Sequence, residues 1–334
     1  MRRWEKGGFR MGTRSGRWMR VAGAGLPAVL CVLAVLAGAR SAGAGEPWTG
    51  PRILEEVLRR QRLFPFVYEE QTLILKDRTG NRDVRKVRRY SRVEADGTAK
   101  FLLVFDTPAE VRGVALLKVD PPSGRGECSI YLPALGKGLV SQAGKTCGGP
   151  VLGTDFTIGD LTAEAPADFR YERVADQRID LFPSFVVDAV PRSEETALAT
   201  GYGLRRHFIR QDSFRIVRID YYDLRKRFFK RQTFHDPARV QGGLWQANMT
   251  LMENHKAKHE TLIKTDLRVI SGDYASPEMF TPAWLLENRH IQGKEKRLFQ
   301  KDAPIPGEPE EASPEGPLSR VRQGRQAGSP GENP

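Results

Sequence analysis

Cysteine is nearly absent from this 334-residue chain, which holds only Cys31, Cys128 and Cys147. No CxxC pair occurs, and that argues against thiol-exchange chemistry. Histidine is almost as sparse: His207, His235, His255, His259 and His290. His255 and His259 stand four apart in HKAKH, but they flank an expected turn, and Lys256 and Lys258 would repel a cation. His235–Asp236 is a neighbour pair without a third member. The chain also lacks GxSxG, HExxH and P-loop sequences. The glycines between 136 and 153 do not form GxGxxG after a strand. Asp155 and Asp160 are the best acid pair, and turn formation and helix capping account for them. No cofactor and no metal are expected, and the chain does not read as an enzyme.

Helical periodicity is scarce too. Residues 53 to 62 (ILEEVLRRQR) place apolar groups at 53, 54, 57 and 58, with Pro51 near the start. That spacing predicts one short helix which must lie against something wider. Most of the rest alternates as strands do. Ten are expected, starting near Tyr68, Asp83, Phe101, Val114, Cys128, His207, Phe214, Phe228, Leu244 and Glu260. Short Asp-, Gly-, Asn- or Lys-rich links join the later ones into a meander. Residues 136 to 153 read as a long glycine-rich loop, and 169 to 175 and 179 to 183 as less regular. So little helix cannot cover a flat sheet of this size. The expected fold is therefore mainly antiparallel β: a strongly curved half-barrel sheet of about ten strands with short helices against its concave side. Curling would create an apolar cavity suited to apolar ligands. The central apolar strands offer Leu103, Phe105, Leu116 and Ile130 as candidate wall residues. Alternation sets Leu103 and Phe105 on one face, Leu102 and Val104 on the other.

The two ends differ from this middle. Residues 1 to 44 carry a basic stretch (Arg2, Arg3, Arg10, Arg14, Arg17, Arg20), an apolar run from Val21 to Ala39, and Ala42-Gly43-Ala44. That succession is a secretory signal with cleavage expected after Ala44; the alternative is an uncleaved anchor. Residues 303 to 334 are rich in Pro, Gly, Glu and Ser and are expected to be disordered. The ordered domain is expected over 45 to 290. The full chain carries a formal charge of +12; without residues 1 to 44 it holds 45 basic and 40 acidic residues, or +5. That modest excess suits attraction to anionic lipid surfaces and weakens a nucleic-acid reading. Export permits a Cys128–Cys147 disulfide across eighteen intervening residues, worth roughly 3 kcal/mol as a loop closure. The densest basic cluster, Arg225, Lys226, Arg227, Lys230 and Arg231, is expected on the surface, as a solvated hairpin or a docking patch for anionic headgroups or an acidic partner.

Several blocks resemble, in order, the outer-membrane lipoprotein-sorting protein family, whose fold is LolA-like. They are Leu102 to Leu117 with Pro108-Ala109-Glu110-Val111-Arg112-Gly113 at its centre, Tyr131-Leu132-Pro133-Ala134-Leu135, and Leu152 to Leu161 (LGTDFTIGDL). Two later blocks follow, Ala247 to Thr261 and Phe280 to Glu287. The resemblance spans roughly residues 50 to 290. It implies a periplasmic protein with a hydrophobic cavity for the acyl chains of a lipid or lipoprotein. Some members are encoded beside RND-type transporters, which makes such an inner-membrane transporter an expected partner. Two functional readings stay open: a carrier for acyl chains, and an envelope sensor or adaptor with a filled core. An open apolar channel would mark the first, and a packed interior the second.

Overall fold

Alternating sequence becomes thirteen strands in one sheet, every neighbouring pair antiparallel. The computed structural model describes residues 47–122, 126–133, 138–143, 149–162, 164, 166–240 and 244–292, with 138–143 and 292 as backbone alone. The described residues from Trp48 to Gln292 belong to one compact unit. The expected signal and cleavage point, Cys147 and the 303–334 tail lie outside the described residues. Among the described residues no helix is long and apolar enough to cross a membrane.

The first meander runs β1 (Phe66–Lys76), β2 (Arg82–Val93), β3 (Ala99–Thr107), β4 (Ala115–Asp120), β5 (Glu127–Leu132) and β6 (Gly138–Ala143). The second runs β7 (Phe169–Ile179), β8 (Phe182–Pro191), β9 (Leu204–Arg210), β10 (Ile216–Tyr222), β11 (Phe228–Arg239), β12 (Trp245–Asn254) and β13 (His259–Val269). Within each meander every strand pairs with its neighbour in sequence. One seam joins the two: β1 pairs with β13, from Tyr68 opposite Val269 to Lys76 opposite Glu260, with a register shift at Glu70/Gln71. The outer strands are β6 and β7.

The expected half-barrel is therefore corrected. The sheet has thirteen strands rather than about ten, and it stays open, because no pairing joins β6 to β7. The three extra strands are β6, β7 and β8. The first lies in the glycine-rich stretch that reads as loop. In β7 only Phe169 and Tyr171 are buried and most other positions are exposed, so its alternation fades. β8 opens on Phe182-Pro183 but continues as the apolar run FVVDAV. Curling was expected because the chain holds too little helix. In the structure, irregular segments do much of the covering instead.

One face, here the cavity face, carries Leu73, Leu75, Val87, Leu103, Phe105, Leu116, Ile219, Met252 and Ile263. The chain between the two outer strands crosses this face. It inserts Val151, Phe156 and Ile158 into the same cluster and forms the short helix α2 (Ile158–Leu161). Toward β7–β9 the cover is α1 (Gly50–Gln61), whose Ile53, Leu54 and Val57 pack on Phe169, Phe185, Val187 and Ile209. Gly50 lies close to β7: a Cβ there would stand 2.8 Å from the Glu172 backbone nitrogen. On the opposite face of β1–β5, Met279, Phe280 and Leu285 cover Tyr68, Tyr90, Leu102, Val104 and Leu117. Each fully buried Leu or Phe contributes roughly 1.5–3 kcal/mol, so burial on both faces adds to the stability of this half of the sheet.

Candidate functional site

A cavity of about 390 Å³ lies on the cavity face between the sheet, α1 and the crossing segment. Its apolar wall includes Leu54, Val57, Phe101, Phe156, Ile219, Phe234 and Ile263. A distinct polar wall includes Glu69, Arg89, Arg268, Glu164, Arg205 and His207. Strand alternation places these charges inside. Arg205 and His207 stand two apart on β9, as do Glu69 and Gln71 on β1, so each pair shares a face.

The polar wall is built from paired charges. Glu69 is buried between two guanidinium groups; its carboxylate accepts from Arg89 and from Arg268, each at 2.7 Å. Burial alone would raise this carboxyl, but the two arginines outweigh that and hold it below the usual carboxylate range. Glu164 sits 3.0 Å from Arg205 and 3.4 Å from His207 Nε2. Burial again opposes ionisation, and Arg205, then His207, more than offset it and keep Glu164 low. Asp160 belongs to α2, where it forms a capping box with Thr157. Lys230 donates to it at 2.8 Å, and the Tyr202 hydroxyl at 2.9 Å. Burial pushes up, but Lys230 and Arg205 pull harder, so Asp160 stays ionised. Burial, with the Asp160 charge, drives the Tyr202 phenol well above its ordinary value.

Asp155 and Asp160, the acid pair picked out in the sequence, thus anchor the crossing segment. Asp155 accepts from Thr261 Oγ1 at 2.9 Å and lies 2.6 Å from His259 Nδ1. The candidate wall residues fall together. Leu103 stands opposite Leu116, and Leu116 opposite Ile130. Leu103, Phe105 and Leu116 are buried in the cluster beneath Val151, Phe156 and Ile158, and Ile130 packs against it half-buried. The larger cavity opens beside Phe101 instead, and Leu103 borders only a small void of about 10 Å³.

The basic cluster divides. Arg225, Lys226 and Arg227 are exposed at the β10–β11 turn, where Asp223 accepts from the Arg225 and Arg227 backbones. Phe228 beside them is 40% exposed and touches His255 of the next hairpin at 5.1 Å between ring centroids. Lys230, expected on the surface, is only 3% exposed. Its ammonium lies 4.9 Å from the Tyr202 ring and 4.8 Å from the Tyr221 ring, and the bond to Asp160 compensates its burial. Arg231 is half-buried and pairs with Asp220 at 2.7 Å. Cys128 is buried on β5, and its expected partner Cys147 lies outside the described residues. Among the described residues no group of three or more His, Cys, Asp or Glu could hold a metal ion.

This architecture is shared with solved structures. A candidate outer membrane lipoprotein-sorting protein domain from Vibrio parahaemolyticus matches with a TM-score of 0.65 at 22% identity, over 71% of this chain and 98% of that one. A DUF1329 family protein from Desulfovibrio piger matches at 0.63 and 20% identity, over 71% and 98%. A LolA superfamily protein from Nitrosomonas europaea matches at 0.56 and 17% identity, over 70% and 98%. These likenesses define the class of fold, that of the LolA-like open sheets. More specifically, residues 97–287, over half of the chain, match the profile of a family described as "Uncharacterized protein", and the chain belongs to that family. No curated protein matches the sequence.

Proposed function

We propose that this protein is a non-enzymatic periplasmic carrier or binding protein for the acyl chains of a lipid or lipoprotein. It would serve outer-membrane lipoprotein sorting or lipid transport. The observation that carries this reading is the cavity of about 390 Å³ held open on the covered face of the sheet. That size falls within the roughly 300–1,000 Å³ of ligand pockets, and each methylene buried there would stabilise the complex by about 0.8 kcal/mol. Its fold is shared with the Vibrio domain described as a lipoprotein-sorting candidate. Exposed Arg225, Lys226 and Arg227 suit a docking role at anionic headgroups or at an acidic surface of an RND-type inner-membrane transporter.

A second reading has its own observation. The face around Leu103, Phe105 and Leu116 is filled by Phe156 and Ile158, as an envelope sensor or adaptor with a packed core would be. Uptake of a fluorescent fatty acid separates the two. The carrier binds it, and Thr250→Trp, which places an indole on the cavity wall, lowers uptake at least roughly tenfold without loss of folding. No uptake by the native protein sinks the carrier and leaves the adaptor. Native mass spectrometry of protein isolated from its own envelope identifies the cargo.

A further inference from the structure

The polar end of the cavity carries buried polar atoms that the fold itself leaves unanswered. His207 is 3% exposed and Arg205 6%. Both line the cavity. Among the described residues, His207 Nδ1 and Arg205 Nε have no hydrogen-bond partner, and His207 Nε2 has only its 3.4 Å approach to Glu164. Buried polar groups without partners are rare and costly, so each needs a reason. Other charges nearby have theirs: Glu164 answers Arg205 through its Nη1, and Asp160 answers Lys230.

We infer that Arg205 and His207 receive the anionic headgroup of a single-chain amphiphile, a carboxylate or phosphate, while its tail lies along the apolar wall. This rests on the carrier reading and narrows its ligand. A guanidinium N–H can only donate, so the group that answers Arg205 Nε is an acceptor, with the His207 ring beside it. Charge selects the kind of acceptor. Six Arg or Lys side chains line the cavity against four Asp or Glu, an excess of two positive charges that favours an anion. Arg205 and His207 sit on one face of β9, two residues apart, so their donors can converge on one head. The volume of about 390 Å³ is near the small end of ligand pockets, and it suits one chain better than a bundle of them.

Binding of three probes tests this: hexadecanoate, palmitoyl lysophosphatidate, and hexadecanol, which keeps the tail without the charge. The native protein is expected to bind at least one anionic probe roughly tenfold or more tighter than hexadecanol, the value of a charge-assisted hydrogen bond. Whichever acid binds tighter tells carboxylate from phosphate. His207→Leu gives up only the 3.4 Å approach to Glu164, which Arg205 still answers at 3.0 Å, so it is expected to fold. It should lose most of that preference while binding hexadecanol as before. His207→Gln restores a donor and should recover part of the preference, and it carries the test if the leucine variant does not fold. Equal binding of all three probes by the native protein overturns the headgroup site and leaves the carrier standing. So does a His207→Leu loss that is uniform across the probes. Binding of none of them removes the carrier reading and the headgroup site with it.

Discussion

Lys230 shows how one residue can change meaning between sequence and structure. Within RKRFFKR it looks like one more surface charge, yet alternation along β11 turns it inward to Asp160. Removing one partner of a buried pair leaves the other charge unanswered, typically a loss of 3–5 kcal/mol. Asp160→Asn is therefore expected to lower unfolding free energy in urea by about that amount. The same pairs set a pH response. Glu69, Asp160 and Glu164 all titrate lower in the folded protein than in the unfolded chain. Their contribution is fully present above the unfolded carboxylate values of roughly 4, and it is lost as pH falls through the lower folded values. The thermal midpoint should hold between pH 7 and pH 5, then drop steeply below roughly pH 4. Asp160→Asn should soften that drop, and an equally steep fall in the variant would deny Asp160 its part.

At the scale of elements, the exposed β10–β11 turn is separable from the buried strand that follows it. Changing Arg225, Lys226 and Arg227 together to Ser should leave the thermal midpoint within about 1–2 °C, since exposed charges contribute little to stability. Co-sedimentation with vesicles containing anionic lipid should fall at low salt, and the difference should vanish at high salt. Equal sedimentation of both proteins at low salt would reduce the turn to a solvated hairpin. Strands with strong alternation were legible in the sequence: all ten expected ones exist, and Leu103/Phe105 and Leu102/Val104 do take opposite faces. β7 escaped because an outer strand needs few apolar residues, and β6 because Gly138 and its surroundings mimic a loop. The polar wall was the least legible part. Glu69 meets Arg268 only across the β1–β13 seam, and Glu164 meets Arg205 only because the crossing segment lies over β9. Neither meeting leaves a local spacing to read.

For the whole molecule, two meanders of local pairings are tied by one non-local seam, nine residue pairs long between β1 and β13. This division has a consequence in time. Synthesis proceeds from the N-terminus, so β1 through β6 exist long before β13 is made. Until then β1 offers a bare edge, with Leu73 and Leu75 on one face and Tyr68 on the other, and unpaired edges of this kind recruit other chains. A chain stopped at Lys258, one residue short of β13, should collect in aggregates, while the full-length chain stays monodisperse by size-exclusion chromatography. A soluble, monomeric truncation would show that the first meander guards its own edge. The nascent protein thus passes through an interval of exposure whose length is set by the distance from Lys76 to His259, and a helper that shields strand edges would be needed only for that interval.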